Sequence, residues 1–165
     1  MKACVDVQYG EREARAACVL FTEWTDATPA RELVTVVRDP APYEPGALYK
    51  RELPCLLAVL APVRASLEVV LVDGYVWLDA AGRKGLGAHL HEALDGRVPV
   101  IGVAKTAFKG SDFAVAVTRG ASAKPLYVTA AGIDARVAAE KVRALHGSFR
   151  LPTLLQRVDR LARGG

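Results

Sequence analysis

At 165 residues the chain is near the usual length of one domain, enough to bury roughly two thirds of its unfolded surface, and two full domains are not expected. Hydrophobic residues at 52% and charged residues at 24% exclude a disordered chain or a low-complexity fibre. Lys and Arg number 22 against 18 Asp and Glu, and the resulting net charge of +4 permits nucleic-acid binding without establishing it.

Cys4, Cys18 and Cys55 are an odd number of thiols with no CxxC spacing and no histidine beside them. Reduced, mostly buried thiols in a cytoplasmic protein are expected, and no zinc site. The first residues run straight into a strand-like pattern and carry an acid at Asp6, so no secretory leader is expected. Apolar runs such as Val69 to Val72 are too short to span a bilayer, and no membrane partner is expected.

Residues 2–9 alternate, with Ala3, Val5 and Val7 on one face and Cys4, Asp6 and Gln8 on the other, which reads as a strand. A polar turn at 9–13 leads to a second apolar run, Ala14 to Phe21, and so to a hairpin. Leu33 to Val37 is a third, β-branched strand, and the three together predict an antiparallel meander. Residues 39–46 hold three prolines and a glycine and can only be a loop. Leu53, Leu56, Leu57 and Leu60 give helical spacing over 48–60, stopped by Pro62.

Leu67 to Val72 reads as a strand buried on both faces, which favours parallel neighbours, and Asp73-Gly74 closes it. A helix starting near Lys84 carries Leu86, Leu90 and Leu94. Val98 to Val103 is another buried strand, followed by short strands at 113–117 and 126–129. Val137, Val142 and Leu145 mark a helix over 133–146, and 152–161 is a short basic helix. Strands first, then alternating helix and strand, predict an α/β fold with a mixed sheet covered on both faces. By analogy of layout, it is similar to ribonuclease-H-like nucleases.

Several side chains carry candidate chemistry. Asp6 lies within an apolar strand, where a carboxylate is costly unless paired or metal-bound; an acid facing solvent at a sheet edge is the plainer reading. Asp73 ends a buried strand, where α/β sheets form their ligand crevice. It reads equally as a magnesium ligand or as an Asp-Gly turn. Glu52 starts the 48–60 helix and either favours its N-terminus or joins Asp6 and Asp73 as a third acid. Tyr43, on a proline-stiffened loop, reads as a wedge for the gap left by a displaced base or as loop packing. Lys105 follows a buried strand and either neutralises a scissile phosphate or is a solvated loop lysine.

Taken in order, these residues resemble the endonuclease V family, nucleases that act at deoxyinosine. Val5-Asp6-Val7 with Tyr9 is similar to the family's first-strand block. Pro42-Tyr43-Glu44-Pro45-Gly46, then Leu48 and Arg51-Glu52, resembles its PYxPG…L…RE block. Leu71-Val72-Asp73-Gly74, Gly85-Leu86-Gly87-Ala88-His89-Leu90 and Pro99-Val100-Ile101-Gly102-Val103-Ala104-Lys105 resemble the next three blocks. Residues 124–129 and Arg150-Leu151-Pro152 extend the likeness toward the C-terminus.

The resemblance implies a ribonuclease-H-like fold, a magnesium or manganese cofactor, and cleavage of the second phosphodiester bond 3′ to inosine in DNA or RNA. It implies metal binding by Asp6, Glu52 and Asp73, an active-site role for Lys105, and a wedge at Tyr43 beside Pro42. Backbone near Gly74 and Gly102 would help form the pocket for the flipped base. The chain also departs from the family. After Asp73-Gly74 the family's His-Pro-Arg is absent, and Asp79 stands nearest the histidine's place as a substitute carboxylate or base. Tyr75 and Trp77 are bulkier than the family's residues there, and Ala131-Gly132-Ile133-Asp134 replaces a Gly-His. The family's helix ahead of the first strand has no counterpart before Lys2.

Three functions therefore stand: an active inosine nuclease, a homologue that binds nucleic acid without cutting, and a nuclease with a changed base or RNA substrate. Lys141, Arg143, Arg150, Arg157, Arg160 and Arg163 against the single acid Asp159 suggest a basic C-terminal face that could track phosphates, or a solvated helix face.

Overall fold

A computed structural model describes all of residues 1–165. The first three strands, β1 (Lys2–Tyr9), β2 (Glu13–Phe21) and β3 (Arg31–Arg38), form the expected antiparallel meander. β4 (Val69–Asp73) pairs parallel to β1 and to β5 (Val100–Ala104). β7 (Leu126–Ala131) returns antiparallel beside β5, and β6 (Val115–Val117) closes that edge. The seven-stranded mixed sheet has the order β3-β2-β1-β4-β5-β7-β6.

Strand alternation splits the core into two layers. Ala3, Val5, Val70 and Val72 pack under α1 (Tyr49–Leu60) and α2 (Leu86–Ala93). Cys4, Leu71, Ile101 and Val103 face α3 (Ala135–Ala144) and α4 (Thr153–Ala162). Central strands therefore read as continuous apolar runs, because both faces are covered. All three cysteines are buried and unpaired. No helix is long and apolar enough to cross a membrane.

Element bounds shift by one to two residues, as at β3, β4, β6 and α3, and four departures from the sequence reading have a clear physical reason. α2 begins at Leu86 rather than near Lys84, because Lys84 forms an antiparallel bridge with Trp77 and Gly85 is extended (φ −95°, ψ −173°). β5 begins at Val100, since Pro99 has no N–H to give the ladder. Pro62 ends the α-helical geometry but not the coil, which continues as a 3-10 turn from Ala61 to Ser66. Val137 points outward, 47% exposed, and α3 instead buries Ala138, Ala139 and Val142. The helix is set by Asp134, whose carboxylate accepts from the Arg136 and Val137 amides as an N-cap.

The segment between α3 and α4 is held by Arg119, which is 6% exposed and has no acid partner. Its guanidinium donates to the carbonyls of Leu145, Gly147 (3.1 Å), Phe149 (2.7 Å) and Arg150 (3.3 Å). One buried cation thus satisfies four carbonyls that no secondary structure pairs, and burial pulls its pKa down. Arg119→Leu would leave those carbonyls without a donor. It is expected to cost about 3 kcal/mol and to lower Tm by about 6–12 °C, read by circular dichroism. An unchanged Tm would show that water replaces the guanidinium.

Candidate active site

β1 and β4 run parallel in a register that pairs Cys4 with Leu71 and Val5 with Val72. Partners in a parallel ladder face the same side, so the next step sets Asp6 beside Asp73, where the two strands part. Glu52 arrives from the first turn of α1, the helix on the opposite face. Asp6, Glu52 and Asp73 line one cavity of about 210 Å³, together with Gln8 and Tyr9. Asp6 and Asp73 also line a second cavity, of about 360 Å³, whose wall is α4 and whose rim carries Lys105. The two cavities meet at this pair of aspartates.

The electrostatics follow from that convergence. Burial pushes the Asp6 carboxyl up to about 6; a 3.4 Å hydrogen bond from Gln8 opposes the shift and the Asp73 charge adds to it. Burial, then the charges of Asp6 and Asp73, push Glu52 up to about 7. Lys105 Nζ lies 3.4 Å from Asp73 Oδ2, with both side chains partly exposed. Arg51 is drawn over the Tyr9 ring at 3.7 Å and only partly offsets Glu52. The Tyr9 hydroxyl is buried without a hydrogen-bond partner, and burial and Glu52 raise its pKa. No three His, Cys, Asp or Glu side chains stand as a ready-made ligand set. What converges is an all-oxygen group of acids short of positive charge, and that donor chemistry suits a hard divalent cation.

A fourth acid, Asp159 on α4, lines the larger cavity and adds to the charge felt by Asp6. Its carboxylate pairs with Arg163 at 3.1 Å. The sequence reading counted Asp159 only as a stray acid among bases. Leu155 and Asp159 are one helical turn apart on α4 and both line the cavity, which only the packed helix reveals.

Asp79 does not join the group. It accepts from the Arg83 amide at 3.0 Å and closes the turn between Trp77 and Lys84. Tyr43 is 62% exposed and Pro42 is exposed, both on the loop that enters α1 and leads to Glu52. Gly74 and Gly102 lie against each other. Gly74 has φ +113°, and a Cβ on Gly102 would come within 2.5 Å of the Gly74 carbonyl and 2.9 Å of the Val76 amide nitrogen. The 74–76 backbone thus rests on Gly102, and neither glycine lines the two acid cavities. Tyr75 donates to the Thr106 carbonyl at 2.8 Å and meets Phe108 edge to face, while Trp77 donates to the Ala130 carbonyl at 2.9 Å.

The histidines are occupied elsewhere: His89 stacks on Tyr49, His91 contacts the Val98 carbonyl, and His146 contacts Thr153. The C-terminal bases are largely engaged too. Arg157 forks onto Glu32, Arg143 pairs with Glu140, and Arg150 donates to the carbonyls of Lys105 and Pro125. Of the six, Arg160 and Arg163 line the larger cavity.

With the site in view, the chain can be set beside known proteins. The endonuclease V family profile matches residues 1–127. Endonuclease V of Streptomyces coelicolor is 33% identical over 183 aligned positions, covering 96% of this chain and 76% of that protein. Endonuclease V of Rhodospirillum centenum is 34% identical over 144 positions, covering 74% of this chain and 59% of that protein. The chain thus spans about three fifths of the length of this second relative. Among solved structures, endonuclease V of Streptomyces avermitilis has a TM-score of 0.73 at 26% identity, covering 98% of this chain and 79% of that one. Endonuclease V of Ciona intestinalis, in complex with a 24-mer DNA containing an inosine followed by a ribo-adenosine, has a TM-score of 0.80 at 19% identity, covering 99% and 84%. The mixed sheet is the ribonuclease-H-like fold of these neighbours, and the chain belongs to the endonuclease V family.

Proposed function

We propose that the chain is a divalent-metal-dependent endonuclease that cuts DNA or RNA at the second phosphodiester bond 3′ to inosine. The observation that carries this reading is the meeting of Asp6, Glu52 and Asp73, from three separate elements, in one cavity with Lys105 beside Asp73. Family membership and the inosine-containing DNA bound by the Ciona relative support the substrate. The buried free thiols and the absence of a membrane-crossing helix are compatible with a cytoplasmic enzyme of one domain.

Asp6, Glu52 and Asp73 would hold magnesium or manganese, with Asp159 rather than Asp79 as the fourth carboxylate. The cation supplies charge neutralisation at the phosphodiester and an activated water. Lys105 shifts from Asp73 to a non-bridging phosphate oxygen as the strand enters. Tyr43, presented by the stiff Pro42–Pro45 loop, fills the gap left by the extruded base. Gly74 and Gly102 allow the 74–76 backbone to sit low on the sheet, which shapes the floor beside the acids.

One observation favours a second reading, a changed base. Tyr75 and Trp77 are each fixed by a hydrogen bond to backbone, so the segment after Gly74 is filled by aromatic rings that cannot swing away freely. A pocket bounded by these rings would accept a different base from hypoxanthine.

Labelled DNA and RNA strands with one inosine, incubated with magnesium or manganese, test both readings. The expected result is a metal-dependent nick 3′ to inosine, lowered at least about 100-fold in Asp73→Ala. Cutting that ignores inosine supports the second reading. Binding with no cut under either metal overturns the nuclease and leaves a nucleic-acid-binding homologue.

Acid titration gives a separate check. Asp6 and Glu52 hold protons more tightly folded than unfolded, so their stabilising contribution is full below about pH 4 and is lost as pH rises through about 6 and 7. In EDTA, Tm should therefore fall by about 5 °C between pH 5 and pH 8, and Asp6→Asn should flatten the decline. Magnesium at pH 8 should restore the loss. A Tm that ignores both pH and magnesium would count against a cation at these acids.

A further inference from the structure

We infer that Phe149 is a stacking platform for an unpaired base of the strand that enters the acid cavity. This rests on the nucleic-acid reading above and extends it to a second aromatic contact. Phe149 is 69% exposed, more than any other large hydrophobic side chain, Tyr43 included. An apolar ring left this open is ordinarily found on a loose loop, yet this one is fixed. Arg119 donates to the Phe149 carbonyl, to that of Arg150 after it and to that of Gly147 two residues before it. The loop is closed at its base by Thr153, whose amide donates to the His146 carbonyl at 2.8 Å and whose hydroxyl meets the His146 ring at 2.9 Å. From the other side, Gly120 packs so closely on the Ser148 carbonyl that no Cβ would fit. Neighbouring bonds thus hold the backbone under a ring that itself touches little.

The ring is also on the path to the acids. A groove of about 480 Å³ runs beside it, lined by Ser122, Ser148 and Arg150. Leu151 and Gln156 line both this groove and the cavity that holds Asp6, Asp73 and Lys105. The groove and the acid cavity therefore share a wall. Arg150 ties them together, since its guanidinium donates to the Lys105 carbonyl and the Pro125 carbonyl.

The chemistry of the groove selects its occupant. An exposed aromatic face beside hydroxyls and an amide matches a nucleobase, which has an apolar face and a polar edge. Cationic charge beneath the groove suits the phosphate that joins that base to the next. Stacking is indifferent to base identity, because every base has a π-face. Phe149 would thus hold a flanking nucleotide whatever its sequence, while the segment after Gly74 reads the target base.

The test uses single-stranded DNA with one inosine and 2-aminopurine placed at successive flanking positions, bound to the protein in calcium. Wild type is expected to quench 2-aminopurine at one or two positions. Phe149→Ala should abolish that quench and weaken binding by about tenfold, and Phe149→Trp should restore both. The exposed ring makes Phe149→Ala safe for folding, which an unchanged melting curve confirms. Binding and quenching by Phe149→Ala equal to wild type, while Lys105→Ala weakens binding, would overturn the platform and keep the nuclease reading. Wild type that binds no strand would overturn both. A concentration-dependent dimer lost in Phe149→Ala, with base quenching unaffected, would assign the ring to a second copy of the chain and overturn the platform.

Discussion

Two parallel strands in fixed register hold Asp6 and Asp73 side by side, and a charged pair at that separation resists folding unless positive charge is near. The register itself is not negotiable. Val5 and Val72 seal one core layer, Cys4 and Leu71 the other, and a slip by one residue would exchange the two layers and break the packing of both. The acids are therefore carried to their meeting point by residues that have no part in chemistry. The surrounding chain then answers the charge only in part. Lys105 stands by Asp73, Gln8 by Asp6 and Arg163 by Asp159, while Glu52 has only the remote help of Arg51 over Tyr9. A fold selected for stability alone would place an apolar side chain at Asp6; local cost held by an over-determined core is the usual sign of a functional site.

The same convergence explains which parts of the site could be read from sequence. Strands were legible because alternation and continuous apolar runs report burial directly, as at 2–9 and 67–72. Asp6, Asp73 and Lys105 were legible because each interrupts or ends such a run. Glu52 was visible only beside Arg51 in a family block, since a first-turn glutamate is unremarkable on any helix. Asp159 was missed because it sits among arginines on a short basic helix, and only the packing of α4 against β1 turns it inward. Arg119 left no trace in pattern at all, for its partners are carbonyls of a loop 26 to 31 residues away. Asp79 shows the opposite sense: its place in sequence near a lost histidine suggests a role, while in the fold a local turn holds its carboxylate.

Charge proved a weak guide to the nucleic-acid face. The excess of +4 suggested a basic patch, and the C-terminal count pointed to its place. Yet Arg157, Arg143 and Arg163 are paired with acids, and Arg150 is spent on backbone carbonyls. A guanidinium that already has partners contributes field but few free donors to a phosphate. In the reading proposed above for Tyr43 and Phe149, aromatic side chains take on more of the recognition. Tyr43 and Phe149 are the two most exposed large rings, and the loops that bear them lead to α1 and α4, the helices that bring Glu52 and Asp159 to the acids.

The role of α4 sharpens this division. The family profile ends at residue 127, within β7, so β1 to β6 and Lys105 fall inside it while most of β7, α3 and α4 lie beyond. Structural likeness nevertheless runs over 98% or more of the chain. Likeness in sequence also runs past the profile, since the Streptomyces coelicolor relative aligns over 96% of the chain. Leu154, Val158 and Ala162 bury one stripe of α4 on the sheet, and that stripe fixes where Leu155 and Asp159 must point. The wall of the larger cavity is therefore maintained by packing, and Asp159, Arg160 and Arg163 project from it into the cavity. A sheet of fixed register thus sets Asp6 beside Asp73, and a helix held by its apolar stripe brings Asp159 to the same cavity.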